Sequence, residues 1–307
     1  MQIRTSESVE GDKRSMRTQF KTPEEAAVRF LEIANNRKPY SNIRPERFIQ
    51  IMKSHKGTLI DANPLDEQGI PKRNPVIAVL GDSVTAGHFE WLIDVEVLKA
   101  QAEAFAGAET GTAEAEPEKV VAEQEIPPIE VTDARESYIE KFREKLIDKY
   151  EQTSVSVINA GIAGDDLRGM QARLQRDVIS HAPDLVLING ALNWSEQLGT
   201  TAEYKEILRK MVREIKEGTQ ADIILITPNG ALPGPFAQGP DLLEERVRAI
   251  RKIAAEEETG IADHYAVWEE FRKQGYDWKD LLANGVNHPS ITGHEGYAVT
   301  LMKVLED

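Results

Sequence analysis

The chain is expected to fold as an α/β protein: a three-layer α/β/α flavodoxin-like sandwich on a five-stranded parallel sheet, with a helical N-terminal extension. Three observations predict this. From Pro75 onward short, almost wholly apolar runs recur, amphipathic stretches separate them, and a Gly, Asp or Asn stands near the end of most runs. Runs apolar on both faces suit parallel strands that helices cover on each side, and helical connections between them make βαβ units.

The elements follow in order. Residues 1–20 carry no periodic apolar pattern and are expected to form a mobile arm. At Thr22 a helix start appears, with Pro23 at the first helical position and Glu25 placed to close a capping box; Ala26, Val28, Phe30, Leu31 and Ile33 supply its apolar side. A second short helix is expected from Pro45, carrying Phe48, Ile51, Met52 and His55 before Gly57. Two short helices rarely make a core alone, so residues 21–74 read as an extension packed on a main domain over 75–307.

Within that domain the strands are VIAVLGD (76–82), VSVINAG (155–161), DLVLING (184–190), DIILITP (222–228) and a weaker IADHYAVW (261–268). Between them run Tyr138, Phe142, Leu146 and Tyr150; Leu167, Met170, Leu174 and Val178; Tyr204, Leu208, Met211 and Ile215; and Leu243, Val247, Ile250 and Ile253, all at helical spacing. A helix is also expected directly after the first strand, over Val84 to Trp91. Residues 100–136 interrupt the order. Rich in Ala and Glu, they read as a solvated acidic insertion that leaves the carboxyl edge of the sheet and could act as a lid.

Composition narrows the function. The chain has 307 residues with 37 Lys and Arg against 52 Asp and Glu, a formal charge of -15, and no cysteine. Disulfides, thiolate metal sites and cysteine nucleophiles are excluded. The acidic balance opposes nucleic acid and anionic membrane surfaces as partners, since each needs a basic face. No apolar stretch approaches the length of a membrane span and no signal-peptide pattern opens the chain, so a cytoplasmic location is expected. There is no Walker lysine, no G-x-G-x-x-G and no second histidine to make a zinc helix with His294-Glu295, so no cofactor or metal is expected.

Candidate chemistry gathers where strands end. Gly81-Asp82-Ser83 puts a serine hydroxyl at a strand-to-helix turn, near backbone N–H groups that favour developing negative charge. The second strand ends in Asn159-Ala160-Gly161-Ile162-Ala163-Gly164-Asp165 and the third in Asn189-Gly190-Ala191-Leu192-Asn193-Trp194. A glycine there permits close approach of backbone to ligand, and an Asn offers a neutral N–H donor for an oxyanion. His288 lies in the loop Asn284-Gly285-Val286-Asn287-His288-Pro289. His88, His181 and His264 read as surface or packing residues, with His88 notable for following Ser83 closely.

Together the segments VIAVLGDSVTAG, INAGIAGD and NHPSITGH, with Asn193 between the last two, resemble the SGNH/GDSL hydrolase family, whose four blocks supply Ser, Gly, Asn and His in that order. The resemblance covers about residues 75–307. It implies the flavodoxin-like sandwich, Ser83 as nucleophile, His288 as general base, and an oxyanion hole made by Ser83, Gly164 and Asn193. The implied activity is that of a serine esterase working through an acyl-enzyme, with carbohydrate deacetylation, lysophospholipid hydrolysis and short-chain ester hydrolysis all implied; an acidic chain without an amphipathic membrane helix points to a small acyl ester, acetyl or short-chain. Two departures stand out. Asn193 lies three residues after Gly190 where the family has Gly-x-Asn, and the family's Asp-x-x-His has no acid here, Asn284 standing at the position nearest to it. Asn284 is therefore the expected partner of His288, with Asp277 and Asp280 as upstream carboxylates that could curl back. Two rival readings remain: a non-catalytic binding module that has lost the acid, and a working insertion with the remainder as scaffold.

Overall fold

The computed structural model describes residues 22–54, 73–90, 131–151, 154–232 and 240–306. The arm expected over 1–20, the His55–Gly57 helix end and the part of the insertion from 100 to 130 lie outside them. Among the described residues the first helix, α1 (Pro23–Asn36), begins at Thr22 with the expected capping box: the Thr22 hydroxyl accepts from the Glu25 N–H and the Glu25 carboxylate accepts from the Thr22 N–H. Its buried Phe30 meets the rings of His264, Trp268 and Phe271 edge-on, with centroids at 5.8, 5.2 and 5.5 Å. Helix α2 (Glu46–Ser54) is tied to the amino edge of the sheet, where the Phe48 N–H donates to the Asp222 carboxylate at 2.7 Å.

The main sheet contains β1 (Val76–Gly81), β4 (Ser156–Gly161), β5 (Leu185–Asn189), β6 (Asp222–Ile226) and β7 (Gly260–Ala262), all parallel, in the order β4-β1-β5-β6-β7. Helices α4 (Tyr138–Tyr150) and α9 (Ile291–Val304) pack together, with α1 laid over α9 and over α8 (Tyr265–Lys273). Helices α5 (Leu167–Asp177), α6 (Thr201–Gly218) and α7 (Pro240–Glu256) pack in succession. The result is a five-stranded α/β sandwich with helices on both sides, the expected fold. Apolar residues line both faces of the central strands: every residue of β5 is buried, as is all of β1 after Val76.

Two elements differ from expectation. The helix after the first strand is a single turn, α3 (Ser83–Ala86), because Gly87 takes the left-handed conformation at φ 93° and its N–H returns to the Val84 carbonyl at 3.3 Å. The chain then pairs as β2 (His88–Glu90) with β3 (Val131–Thr132), so the base of the insertion is a small antiparallel ribbon and a short 3-10 turn at Ala134–Glu136 follows it. The fifth strand stops at Ala262, and Tyr265 to Lys273 form α8. There the buried Tyr265, Trp268 and Phe271 step by three, a helical period hidden inside an apolar run that also suits a strand.

The sheet's carboxyl edge is shaped by close approach. Gly81 lies level with Gly161 on one side and Asn189 on the other. A Cβ on Gly161 would stand 2.3 Å from the Ala86 nitrogen and 2.7 Å from the Thr85 carbonyl carbon, so α3 can seat against β4 only because that position has no side chain. Backbone cannot swing aside as a side chain can. Gly161→Ala is therefore expected to lower stability by about 1–3 kcal/mol, the usual cost of overpacking, as read by urea unfolding; an unchanged midpoint would show that the turn has room to spare.

Candidate active site

The order of strands places β1 between β4 and β5, so the loops leaving these three strands meet at one point. Ligands bind at such switch points in open α/β sheets, because the connections diverge there to opposite faces. Asp82 caps α3 by accepting the Val84 N–H at 3.0 Å, which leaves Ser83 as the first helical residue. The loop after β4 is drawn onto the same turn: the Asn159 amide donates to the Thr85 carbonyl at 2.9 Å, and the Ile162 N–H to the Gly81 carbonyl at 3.1 Å.

Opposite Ser83 stands His288. The Ser83 Oγ and His288 Nε2 lie 2.9 Å apart, and the two residues are only 7% and 4% exposed. The loop that presents His288 is an organised turn. The Asn284 Oδ1 accepts from the backbone N–H groups of Val286, Asn287 and His288 at 3.0, 2.9 and 2.9 Å, and its Nδ2 donates to the Asn287 Oδ1 at 3.0 Å. Gly285 sits in it at φ 67°. The base of the loop closes through the Ala283 N–H to the His288 carbonyl at 2.9 Å and the Ser290 N–H to the Leu281 carbonyl at 2.8 Å.

This corrects the expected manner of Asn284's action. Its side-chain oxygen is committed to three backbone N–H groups, so it shapes the loop that carries His288 rather than holding the ring. Asp277 and Asp280 do not curl back: Asp277 caps the short turn Trp278–Leu281 and pairs with Lys279, and both aspartates are exposed.

Burial sets the electrostatics. Loss of water around the ring, with a smaller contribution from nearby His88, lowers the His288 pKa to about 4. The His88 ring stands edge-on to that of His288 at a centroid distance of 6.3 Å, so this residue, expected to be a surface or packing group, belongs to the site. Burial pushes the Asp82 carboxyl up to about 7, against the lowering effect of the backbone N–H of Val84. His264 is a core residue whose Nε2 accepts from the Trp268 indole at 2.8 Å, and His181 is exposed.

Gly164 lies exposed on the loop after β4 at φ 73°, with open space where a Cβ would be. Asn193, half-buried, gives one amide N–H to the Asp165 carbonyl at 3.0 Å and so joins the loop after β5 to the loop after β4. Sequence reasoning missed two supporting side chains. Arg173, nearly buried, donates to the carbonyls of Gly81 and Ala160 at 3.1 and 2.7 Å and to Asp165 at 2.7 Å, binding two strand ends to one loop. Asn229, fully buried after β6, donates to the Asn287 carbonyl at 2.8 Å. An arginine on the inner face of α5 was a readable anomaly; Asn229 sits in the sequence Thr-Pro-Asn-Gly, which reads as an ordinary turn.

Among the described residues no helix is long and apolar enough to cross a membrane, and no three His, Asp or Glu side chains converge as a metal site would require. A family model for GDSL-like lipase/acylhydrolases matches residues 79–295. An acetylxylan esterase of Geobacillus stearothermophilus is 31% identical over 158 residues, 47% of this chain and 69% of that protein. In solved structures the fold is similar to that of an acetylxylan esterase from the same organism, with TM-score 0.52 and 22% identity over 76% of this chain and 94% of that one. It is likewise similar to an α/β hydrolase from the Lake Arreo metagenome, with TM-score 0.53 and 19% identity over 76% of this chain and 97% of that one. With the match covering most of the chain and falling on the strand ends just described, the protein belongs to the GDSL-like lipase/acylhydrolase family and is an ester hydrolase.

Proposed function

We propose that the protein is a serine esterase that removes a small acyl group, acetyl or short-chain, through an acyl-enzyme on Ser83 with His288 as general base. The observation that carries this reading is the 2.9 Å contact between the Ser83 hydroxyl and the His288 Nε2 inside a site nearly closed to water. A nucleophile and base within hydrogen-bond reach, held by structured turns on both sides, is the arrangement that acyl transfer needs. It also weighs against a non-catalytic cleft, in which nothing would keep that pair aligned. The acetylxylan esterase relative supports an acetyl ester as substrate.

In the proposed cycle His288 Nε2 takes the proton of Ser83 as the oxygen attacks the ester carbonyl carbon. The negative charge then on the carbonyl oxygen is met by the backbone N–H groups of Ser83 and Gly164 and by the second amide N–H of Asn193. His288 returns the proton to the departing alkoxide, and a water, deprotonated by the same ring, releases the acid and restores Ser83. Gly164 suits its part because a left-handed residue in open space can turn its N–H toward the site at no steric cost.

Ser83→Ala and His288→Ala should each abolish hydrolysis of p-nitrophenyl acetate, and Ser83→Ala should do so with the fold intact, since losing one small hydroxyl changes little packing. Wild-type turnover in purified Ser83→Ala would remove the serine from the mechanism. Asn193→Ala should reduce kcat by about 10²–10³ with little change in KM, as for other oxyanion donors; an unchanged kcat would leave the oxyanion to backbone groups alone.

The pH profile tests the base. An imidazole with a pKa of about 4 is neutral, and competent to accept a proton, at every pH well above that value. The acid limb of kcat/KM should therefore fall near pH 4, well below the roughly 6.5 of an unperturbed histidine. An acid limb at 6.5 or above would mean that the ring is hydrated or faces a negative charge in solution.

A further inference from the structure

The loop that carries His288 is held from outside by a buried residue of a different element. Asn229, three residues beyond the end of β6, is wholly excluded from solvent. Its Nδ2 donates to the Asn287 carbonyl and to the Gly230 carbonyl, each at 2.8 Å. Its Oδ1 accepts the Tyr297 hydroxyl at 3.0 Å, and its backbone N–H donates back to that same hydroxyl at 2.5 Å. Tyr297 lies on α9, fully buried, its ring stacked on Tyr138 with centroids 4.9 Å apart. Three residues on, the Leu232 N–H adds a second tie to the loop at the Val286 carbonyl, 2.7 Å away.

Every polar atom of the Asn229 amide is thus used, and the peptide it grips is the one that joins Asn287 to His288. Rotation of that peptide would swing the imidazole directly, since the ring hangs from the next Cα. Asn284 organises the turn from within; Asn229 fixes the whole turn relative to the sheet on which Ser83 sits. A buried amide in such a place has a steep energetic consequence, because loss of one partner leaves another polar group unpaired in a dry interior.

Building on the Ser83–His288 reading, we propose that Asn229 is a positioning residue of the esterase reaction: through its hydrogen bond to the Asn287 carbonyl and its anchor on Tyr297 it sets the register of His288 against Ser83. Asparagine meets the requirement where aspartate does not. The site presents two carbonyl oxygens that need N–H donors and one hydroxyl that needs an acceptor, and a carboxylate would turn an acceptor toward both carbonyls.

The test compares Asn229→Ala and Asn229→Asp with Thr227→Val in the full chain. Thr227 lies two residues upstream and bonds to Asp263 and to the Tyr265 N–H, so its variant controls for loss of a buried hydrogen bond away from the site. Folding is followed by circular dichroism and melting temperature, and turnover with p-nitrophenyl acetate. Both Asn229 variants should lose about 10- to 100-fold in kcat while KM stays within about two-fold, the pattern of a misplaced base rather than of lost substrate binding. Reaction of Ser83 with a fluorophosphonate should slow in parallel, and Thr227→Val should keep parental kcat despite a lower melting temperature. Should Asn229→Ala fail to fold, Asn229→Asp and Tyr297→Phe, which removes only the anchoring hydroxyl, carry the comparison. Parental kcat in the folded Asn229 variants, or a loss no larger than that of Thr227→Val, overturns the proposal. Such a result alongside inactive Ser83→Ala and His288→Ala proteins would spare the serine-histidine reading, whereas active Ser83→Ala protein would remove both.

Discussion

The arrangement of the site depends on β1 running between β4 and β5 with all three carboxyl ends in register, Gly81 beside Gly161 and Asn189. Parallel pairing forces three consecutive chain reversals to begin at one level, and the absence of side chains at Gly81 and Gly161 lets the first of them fold down on the other two. A Cβ on Gly81 would stand 2.9 Å from the Asn189 carbonyl and closer still to Thr85. The two glycines thus let α3 seat where the Ser83 hydroxyl lies at the junction of three loops. Arg173 then donates to the Gly81 and Ala160 carbonyls at these strand ends, supplying donors where a sheet edge has surplus acceptors.

The same compactness governs the charges. Burial lowers His288 to about 4 and His294 to about 3, lowers His264 as well, and raises Asp82 to about 7. The signs for stability oppose each other. Each buried histidine binds fewer protons in the folded chain than in the unfolded one between its lowered value and the ordinary 6.5. Its contribution is therefore whole above that range and is lost as pH falls through it. Asp82 does the reverse: between its ordinary 3.8 and about 7 the folded chain holds the extra proton, so its contribution is lost as pH rises. Burial that keeps His288 neutral in mild acid thus does so at the expense of acid stability, with one carboxyl in partial opposition.

The fold was legible because its signals are local. Strands buried on both faces are apolar throughout, and Thr22, Pro23 and Glu25 announce a helix by backbone chemistry alone. Errors arose where two local signals overlapped. Tyr265 to Trp268 are apolar enough for a strand, and the polar Asp263 and His264 that follow β7 are buried by partners from other elements as well as their own: Thr227 and Arg251 for the first, Thr300 and the nearby Trp268 for the second. Gly87, read only as the end of a motif, stops α3 after one turn. Ser83 and His288 were picked out by the resemblance of their segments to ordered blocks of a known family; alone, a strand-end serine reads as a helix cap and a loop histidine as inert. The role of Asn284 was half legible: its importance followed from its place before His288, but a side-chain oxygen four residues ahead of a loop N–H closes a turn more readily than it reaches an imidazole.

Asn229 marks the kind of residue that sequence order cannot reveal. Its partners lie 58 and 68 positions away, at Asn287 and Tyr297, and neither separation has a period or a spacing that a pattern could register. What makes it recognisable is a count of donors and acceptors in a space without water. A loop that carries a base must leave backbone carbonyls behind as it turns, and when the turn is buried each must find a donor inside the protein. The strand lying next in the sheet is the nearest source, and a short amide extending from its end fits the gap between loop and helix. By this reasoning the support of a buried loop such as the one carrying His288 is to be sought beyond the neighbouring strand's carboxyl end, as well as along the loop itself.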